Sequence, residues 1–159
     1  MPLSTLNPLA VGLRAPDFAL RDQNGVEVTL SGLTAEKNVV IVFYPFAFSG
    51  ICTGELDEIR DHLERFVSDD LQVVCISSDP VFSQRAWADQ QGYFFPLLSD
   101  FWPHGEVAQA YGVQNMRPGA PGGGPFLVGG EGLVKGSLIT GPGDRRDFSD
   151  LPAEVAALP

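Results

Sequence analysis

Two continuous apolar runs dominate the pattern of hydrophobic and polar positions along the chain. Residues 39–44 and 71–77 are rich in β-branched and aromatic side chains and contain few polar positions. Runs of this kind are typical of strands that are buried on both faces of a sheet. They predict two core strands, and Pro45 ends the first of them.

Between these runs, apolar residues trace one face of a helix. They stand at positions 52, 56, 59, 63 and 66, so that the steps between them alternate between four and three residues. This spacing predicts an amphipathic helix over 49–66. Acidic residues at Glu55, Asp57 and Glu58 lie in its early turns, where they are expected to complement the positive end of the helix dipole.

Shorter patterns predict the remaining elements. Asn24-Gly25 lies between two short alternating runs and predicts an N-terminal β-hairpin with a type I′ turn, in which both central residues need a positive φ. Asp79 and Pro80 predict the N-cap and first residue of a helix that reaches Gln91. The other expected elements are an edge segment over 94–98 that contains Pro96, a helix over 106–111 closed by Gly112, strands over 126–128 and 132–136, and a helix near 150–158.

Strands that alternate with helices predict an α/β fold with a central mixed β-sheet flanked by helices. A length of 159 residues fits a single domain over 1–159. Residues 1–11, with prolines at positions 2 and 8, are expected to form a loosely ordered N-terminal extension. The glycine- and proline-rich stretch 118–124 is expected to be a loop.

Composition narrows the classes of function. The formal net charge of −10 argues against nucleic acid as a partner, because phosphate binding needs clustered Lys and Arg. No apolar run approaches the roughly 20 residues that cross a bilayer, and the N-terminus lacks the basic region of a signal peptide. A protein in the cytoplasm, with reduced thiols and no membrane partner, is therefore expected.

Two cysteines carry the candidate chemistry. They are too few for a disulfide framework and have no neighbours at metal-ligand spacing, so neither a metal nor a cofactor is expected. Cys52 is predicted at the start of a helix, where unpaired N–H groups and the dipole favour a thiolate. An inert thiol packed on the apolar face of the helix is the alternative at that position. Cys75 lies mid-strand and is predicted to be a packed structural thiol.

The loop before the helix resembles a family signature. Pro45, Ser49 and Cys52 have the spacing Pro-x-x-x-Ser-x-x-Cys of the peroxiredoxins. Similar segments follow in the family's order, namely Ala-Pro-Asp-Phe at 15–18, Gly-Glu-Leu at 54–56 and Phe-Pro-Leu-Leu-Ser-Asp at 95–100. The resemblance covers about residues 12–150 and is strongest to the one-cysteine alkyl hydroperoxide reductase E branch.

The resemblance implies a thioredoxin-like fold and a thiol-dependent peroxidase, an antioxidant enzyme that reduces hydrogen peroxide or organic hydroperoxides. Cys52 would be the peroxidatic nucleophile that becomes a sulfenic acid. Ser49 and the Cys52 amide would hydrogen-bond the peroxide oxygens, and Pro45 would shield the site from water. Glu55 and Trp87 stand at positions that support the pocket in this family, although helix-terminus stabilisation and core packing are the simpler interpretations.

The resemblance also bears on recycling and assembly. Asp57 stands where a related branch has its resolving cysteine, five residues after Cys52, and Cys75 is predicted inside a strand. The sulfenic acid would therefore be reduced by an external thiol, either a small molecule or a redoxin. The family resemblance further implies a homodimer.

The sequence departs from the family at one position. The family carries an arginine just before the strand at 126–128, where it stabilises the thiolate and polarises the peroxide, and Gly123 stands there in this chain. Arg117 is a candidate substitute, as are Arg145 and Arg146. A second hypothesis is therefore a redox sensor or interaction module with weak peroxidase activity. A thioredoxin-type disulfide reductase ranks last, because Cys52-Thr-Gly-Glu55 lacks the second cysteine.

Overall fold

The computed structural model describes residues 6–122 and 125–137, with Ile51 and Cys52 described by their backbone alone. The helix expected near 150–158 and the candidate arginines at 145 and 146 lie outside these ranges, as does Gly123. Within the expected N-terminal extension, the N–H groups of Asn7 and Leu9 donate to Gly112 O and Tyr111 O, each at 3.0 Å.

Short strands and helices alternate along the described chain. The strands are β1 Ala19–Arg21, β2 Glu27–Thr29, β3 Asn38–Phe43, β4 Leu71–Ser77, β5 Leu97–Ser99, β6 Gln114–Asn115, β7 Ala120–Pro121, β8 Pro125–Val128 and β9 Val134–Ser137. The helices are α1 Leu30–Thr34, α2 Gly50–Asp61, α3 Leu63–Phe66, α4 Val81–Gln91 and α5 Glu106–Ala110. None of these helices is long and apolar enough to cross a membrane.

Seven of the strands form one mixed sheet in the order β2-β1-β5-β4-β3-β8-β9. The two apolar runs are its central strands: β3 pairs with β4 in parallel, and β8 pairs with β3 antiparallel. Every residue of β3 after Asn38 is buried, as the continuous apolar run predicts for a strand covered on both faces. The predicted central mixed sheet with flanking helices is confirmed.

Two apolar clusters cover the two faces of this sheet. One contains Leu56 and Ile59 of α2, Trp87 of α4 and Cys75 of β4. The other packs α5 and the residues around it against the opposite face, with Tyr111 among its members. The two helices that surround the predicted site, α2 and α4, therefore share one side of the sheet.

The N-terminal hairpin is present, but its turn differs from the expected type. Of the two central residues, only Gly25 has a positive φ, at 79°. The Asp22 carboxylate organises the turn instead, because it accepts hydrogen bonds from Asn24 N at 2.8 Å and from Val26 N at 3.0 Å. An Asx-type turn of this kind lets Asn24 keep an ordinary negative φ.

The amphipathic segment is divided into two helices. The expected helix over 49–66 is broken at His62, whose φ of −126° lies outside the helical region. Ile59 of α2 and Phe66 of α3 are nevertheless both buried, so the apolar face continues across the break. The alternating spacing therefore predicted the buried face correctly and missed the interruption of the backbone.

The expectation of an edge segment over 94–98 was wrong. The strand of this region, β5, lies inside the sheet between β1 and β4. Pro96 precedes the strand and contributes only its carbonyl oxygen, which accepts from Cys75 N at 3.0 Å. Its missing N–H therefore interrupts no hydrogen bond between the strands.

The N-terminus of α4 also differs from the prediction. The N-cap residue is Pro80 rather than Asp79, and no side chain caps the helix. The Asp79 side chain instead accepts a hydrogen bond from Ala47, 32 residues earlier in the chain. An aspartate that the sequence marks as a local cap therefore makes a tertiary contact.

Candidate active site

A short loop leads from β3 into α2 and contains two of the candidate residues. Pro45 and Ser49 are both half-buried in this loop. Phe48 has a φ of +70° and is the single non-glycine residue with a positive φ in the described part of the chain. The left-handed region is uncommon for a bulky side chain, so this turn is held by its surroundings.

The first turn of α2 begins immediately after Ser49. The Ser49 carbonyl oxygen accepts from Thr53 N at 2.9 Å and from Thr53 Oγ1 at 2.8 Å. The N–H groups of residues 50–52 precede this first intrahelical donor and so have no acceptor within the helix. Cys52 is therefore in the first turn, as predicted, where N–H groups without an intrahelical acceptor and the dipole favour an anion.

A buried polar network lies between the loop and the end of β4. Asp79 Oδ2 accepts from Ala47 N at 2.8 Å and from Ser77 Oγ at 2.7 Å. Gln84, which is fully buried on α4, donates from Nε2 to Ser77 Oγ at 2.8 Å and to Leu98 O at 3.0 Å. Sequence reasoning did not find this network, because Ala47 and Leu98 lie far along the chain from its other members.

Trp87 packs directly against the loop. The indole is fully buried, and its ring centroid lies 5.4 Å from that of Tyr44 and 6.2 Å from that of Phe48. Tyr93 packs against it edge to face at 5.1 Å. Core packing of Trp87 is thus confirmed, and its supporting role at the site stays a prediction.

Tyr93 connects α2 to the segment after α4. Its hydroxyl donates to Asp57 Oδ1 at 2.6 Å and lies 3.3 Å from Thr53 O in the first turns of the helix. Burial raises the pKa of the Tyr93 phenol, so the group stays protonated and remains a donor at neutral pH. Arg60 pairs with Asp57 at 3.1 Å, which leaves that carboxylate between two partners.

The acidic residues of α2 lie after its first turn. The first turn of α2 contains no acidic residue, and the dipole effect fades beyond that turn. Glu55 is instead buried, with 3% of its surface exposed, and Asp57 is engaged by Tyr93 and Arg60. The expectation that these acids complement the helix terminus stays a prediction, as does the expected support of the pocket by Glu55.

Arg117 lies in the turn between β6 and β7 and is exposed. Its backbone N–H donates to Asn115 Oδ1 at 3.2 Å. Other arginines of the described chain have their guanidinium groups engaged elsewhere: Arg14 with Glu131 O, Arg21 with Gly25 O, Arg60 with Asp61 and Gln91 O, and Arg85 with Asp89. Within the described ranges, no group of three or more His, Cys, Asp or Glu side chains could hold a metal ion.

Comparison with known proteins agrees with this architecture. The model of the AhpC/TSA family matches residues 11–137. Alkyl hydroperoxide reductase E of Mycobacterium tuberculosis is 52% identical over 150 residues, which cover 94% of this chain and 98% of that protein. The chloroplastic 2-Cys peroxiredoxin BAS1 of Hordeum vulgare is 30% identical over 158 residues, which cover 93% of this chain and 74% of that protein.

Solved structures show the same fold. Peroxidoxin BcpB from Mycobacterium tuberculosis superposes with a TM-score of 0.77 at 32% identity, with 92% of each chain covered. Enterococcus faecalis AhpC superposes with a TM-score of 0.83 at 27% identity, covering 92% of this chain and 90% of that one. The expected thioredoxin-like fold is confirmed, and the chain belongs to the AhpC/TSA family of peroxiredoxins.

Proposed function

We propose that this protein is a thiol-dependent peroxidase in which the thiolate of Cys52 reduces a hydroperoxide. The observation that carries the proposal is the position of Cys52 in the first turn of α2, where three successive N–H groups have no acceptor within the helix. Helix N-termini of this kind lower the pKa of a cysteine thiol and so increase the thiolate fraction at neutral pH. The relative named alkyl hydroperoxide reductase E supports the same activity.

The reaction balances without a metal or cofactor. The thiolate attacks the terminal oxygen of the hydroperoxide, so an S–O bond forms as the O–O bond breaks. The leaving alkoxide or hydroxide takes a proton and departs as an alcohol or water. Cys52 is oxidised to a sulfenic acid by two electrons, and the peroxide is reduced by the same two electrons.

Roles for the surrounding residues follow from this reaction. The Cys52 amide and the Ser49 hydroxyl would donate hydrogen bonds to the peroxide oxygens, where negative charge develops. Half-buried Pro45 has no N–H to bind water and would shield the sulfenic acid. Buried Glu55 and Trp87 would support the pocket from the core side.

An external thiol would complete the cycle. Attack of that thiol on the sulfenic sulfur forms a mixed disulfide and releases water, and a second thiol then frees Cys52 as the reduced sulfur. Cys75 is fully buried in β4 and is unsuited to the role of resolving partner. A reducing compartment such as the cytoplasm and a homodimeric assembly are part of the same proposal, and sedimentation of the purified protein tests the second.

A redox sensor or binding module with weak peroxidase activity is the second candidate. The observation that favours it is Gly123 at the position of the family arginine, together with the exposed side chain of Arg117. Substitution Arg117→Ala separates the two candidates. A loss of peroxidase rate of tenfold or more would identify Arg117 as the substitute, and an unchanged, slow rate would favour the sensor.

Stopped-flow measurement of peroxide consumption with dithiothreitol tests the main proposal. The variant Cys52→Ser is expected to lose at least about a thousandfold in rate, because serine is not ionised at neutral pH and is a poor nucleophile. The matched control Cys75→Ser is expected to consume peroxide at the wild-type rate within twofold. If Cys52→Ser were as fast as the wild type, the assignment of Cys52 would be wrong.

A further inference from the structure

We infer that Asp79 is a positioning residue for the peroxidase reaction, because its carboxylate holds the loop that carries Pro45 and Ser49 into α2. The inference rests on the proposed function and adds a residue that neither the family signature nor the sequence pattern identifies. Asp79 acts through the loop, and no contact between Asp79 and the reacting sulfur is required.

The contact between Asp79 and the loop is short and central. Ala47 N donates to Asp79 Oδ2 at 2.8 Å, and Ala47 lies midway between Pro45 and Ser49. The hydrogen bond inside the loop, from Ser49 N to Phe46 O, is much longer at 3.4 Å. Because hydrogen bonds weaken with length, the bond to Asp79 is the stronger restraint on the loop.

The conformation of the loop requires such a restraint. Phe48 follows Ala47 directly and has a φ of +70°, which a bulky L-residue rarely adopts without support. Asp79 holds the chain on one side of Phe48, and the bonds from Thr53 to Ser49 O hold it on the other. The Phe48 ring itself packs against Trp87, with the ring centroids 6.2 Å apart.

Asp79 is itself held in place by the rigid part of the fold. Its carboxylate accepts from Ser77 Oγ at 2.7 Å, and its carbonyl oxygen accepts from Ser99 Oγ at 2.7 Å. Gln84 supports Ser77 in turn, at 2.8 Å. Asp79 therefore anchors the loop to the ends of two strands of the sheet, β4 and β5.

This arrangement also distributes the N–H groups near the thiol. The carboxylate takes up the Ala47 N–H. The N–H groups of residues 50–52, which have no acceptor within the helix, are the donors assigned to the anionic sulfur and the peroxide oxygens. Without the carboxylate, Phe48 can relax toward a negative φ, and Ser49 and the first turn of α2 shift with it. Small shifts of this kind misalign donors that act only in the transition state.

The test compares Asp79→Ala with the conservative Asp79→Asn and with Asp89→Ala, which removes an exposed carboxylate of α4. Oxidation of Cys52 by hydrogen peroxide is followed by stopped-flow fluorescence across a range of pH. We expect Asp79→Ala to react at least tenfold more slowly and with a higher pH midpoint. Asp79→Asn, which keeps an acceptor for Ala47 N, should retain most of the rate, and Asp89→Ala should match the wild type.

A purely structural role would leave the pH midpoint unchanged, so this readout separates positioning from folding. If Asp79→Ala is folded, reacts within twofold of the wild-type rate and has the wild-type pH midpoint, the inference is overturned. Should Asp79→Ala fail to fold, Ser77→Ala decides, since it removes one support of the carboxylate. A rate about threefold slower supports the inference, and an unchanged rate overturns it.

The outcome for the wild type distinguishes this inference from the proposed function. If wild-type protein shows no peroxide reduction that depends on Cys52, the proposed function fails and the inference fails with it. If the wild type reduces peroxide through Cys52 and Asp79→Ala does so equally well, only the positioning role is wrong.

Discussion

The two cysteines of this chain lie at backbone positions of opposite kinds. Cys75 is fully buried in the middle of β4, with β3 and β5 on either side, and its N–H is taken by Pro96 O at 3.0 Å. Cys52 lies in the first turn of α2, where the N–H groups have no helical acceptor. The backbone therefore places one cysteine inside a buried strand and the other at the N-terminus of a helix.

The comparison teaches that main-chain geometry alone predicts a difference in reactivity between the two cysteines. An apolar interior disfavours the charged form of a thiol, and a helix N-terminus favours it. The two regions are nevertheless connected. The strand of Cys75 ends at Ser77, whose hydroxyl donates to Asp79, and Asp79 holds the loop before Cys52. The end of β4 thus supports the loop in which Phe48 has a positive φ.

The largest expected gain in rate comes from an arginine at position 123, where the family resemblance implies one. We expect Gly123→Arg to raise the peroxide rate constant by about 100-fold, since one charged donor at a reacting centre contributes on that scale. Gly123→Gln, which is of similar length but uncharged, is the control and should stay near the wild type. A folded Gly123→Arg protein with no gain in rate would show that the family's arginine chemistry does not apply here.

The free energy of unfolding is expected to depend on pH through Asp100, which directly follows β5. Burial raises the pKa of Asp100 to about 6, and its carboxylate accepts from Val107 N at 3.1 Å and Ala108 N at 3.0 Å. The raised pKa means that the folded state prefers the protonated form, so this stabilisation is complete below about pH 4 and is lost as the pH rises through about 6. Between pH 4.5 and 7 the free energy of unfolding should therefore fall by about 2 kcal/mol because of this group.

Urea unfolding of the wild type and Asp100→Asn across this pH range measures the effect. The substitution should remove the fall of about 2 kcal/mol, because asparagine does not titrate. Asp89→Asn, at an exposed position of α4, should show the same fall as the wild type. An identical pH dependence in Asp100→Asn and the wild type would exclude Asp100 as its source.

A smaller effect is expected at the connection between Tyr93 and α2. Tyr93→Phe removes the donor to Asp57 Oδ1 at 2.6 Å and should lower the free energy of unfolding by about 1.5 kcal/mol. Hydrogen exchange should become faster for amides in α2 and remain unchanged in β4, because only the helix loses a contact. Equal acceleration in both elements would contradict a local role for Tyr93.

The smallest effect is expected at the buried thiol. Cys75→Ala removes one sulfur atom from a fully buried position and should lower the free energy of unfolding by about 1 kcal/mol, with a peroxide rate within twofold of the wild type. Denaturant titration and stopped-flow kinetics measure the two quantities. A rate more than tenfold below that of the wild type would mean that Cys75 takes part in the reaction.

Local patterns in the sequence predicted the parts of the fold that depend on local physics. The continuous apolar runs identified β3 and β4, and Gly25 marked the hairpin. The position of β5 was not predictable in this way, because strand order depends on which distant segments pair. Pro96 suggested an edge strand only because the sequence does not show that it precedes the paired residues.

The candidate site was predicted in the same uneven manner. Helical spacing and the family signature both placed Cys52 in a first turn, and the backbone of α2 agrees. Asp79 was missed because Asp-Pro is a strong local signal for a helix N-terminus, which conceals a partner 32 residues away. The contact of Tyr93 with Asp57, 36 residues apart, was missed for the same reason.

The most direct test of the contrast between the two thiols is a titration of each one alone. Thiolate absorbance is measured against pH in Cys75→Ser, which retains Cys52, and in Cys52→Ser, which retains Cys75. We predict that the Cys52 thiol titrates well below the pKa of about 8.5 of an ordinary cysteine and that Cys75 gives no thiolate until higher pH. A Cys52 thiol that titrates at about 8.5 or above would contradict the account.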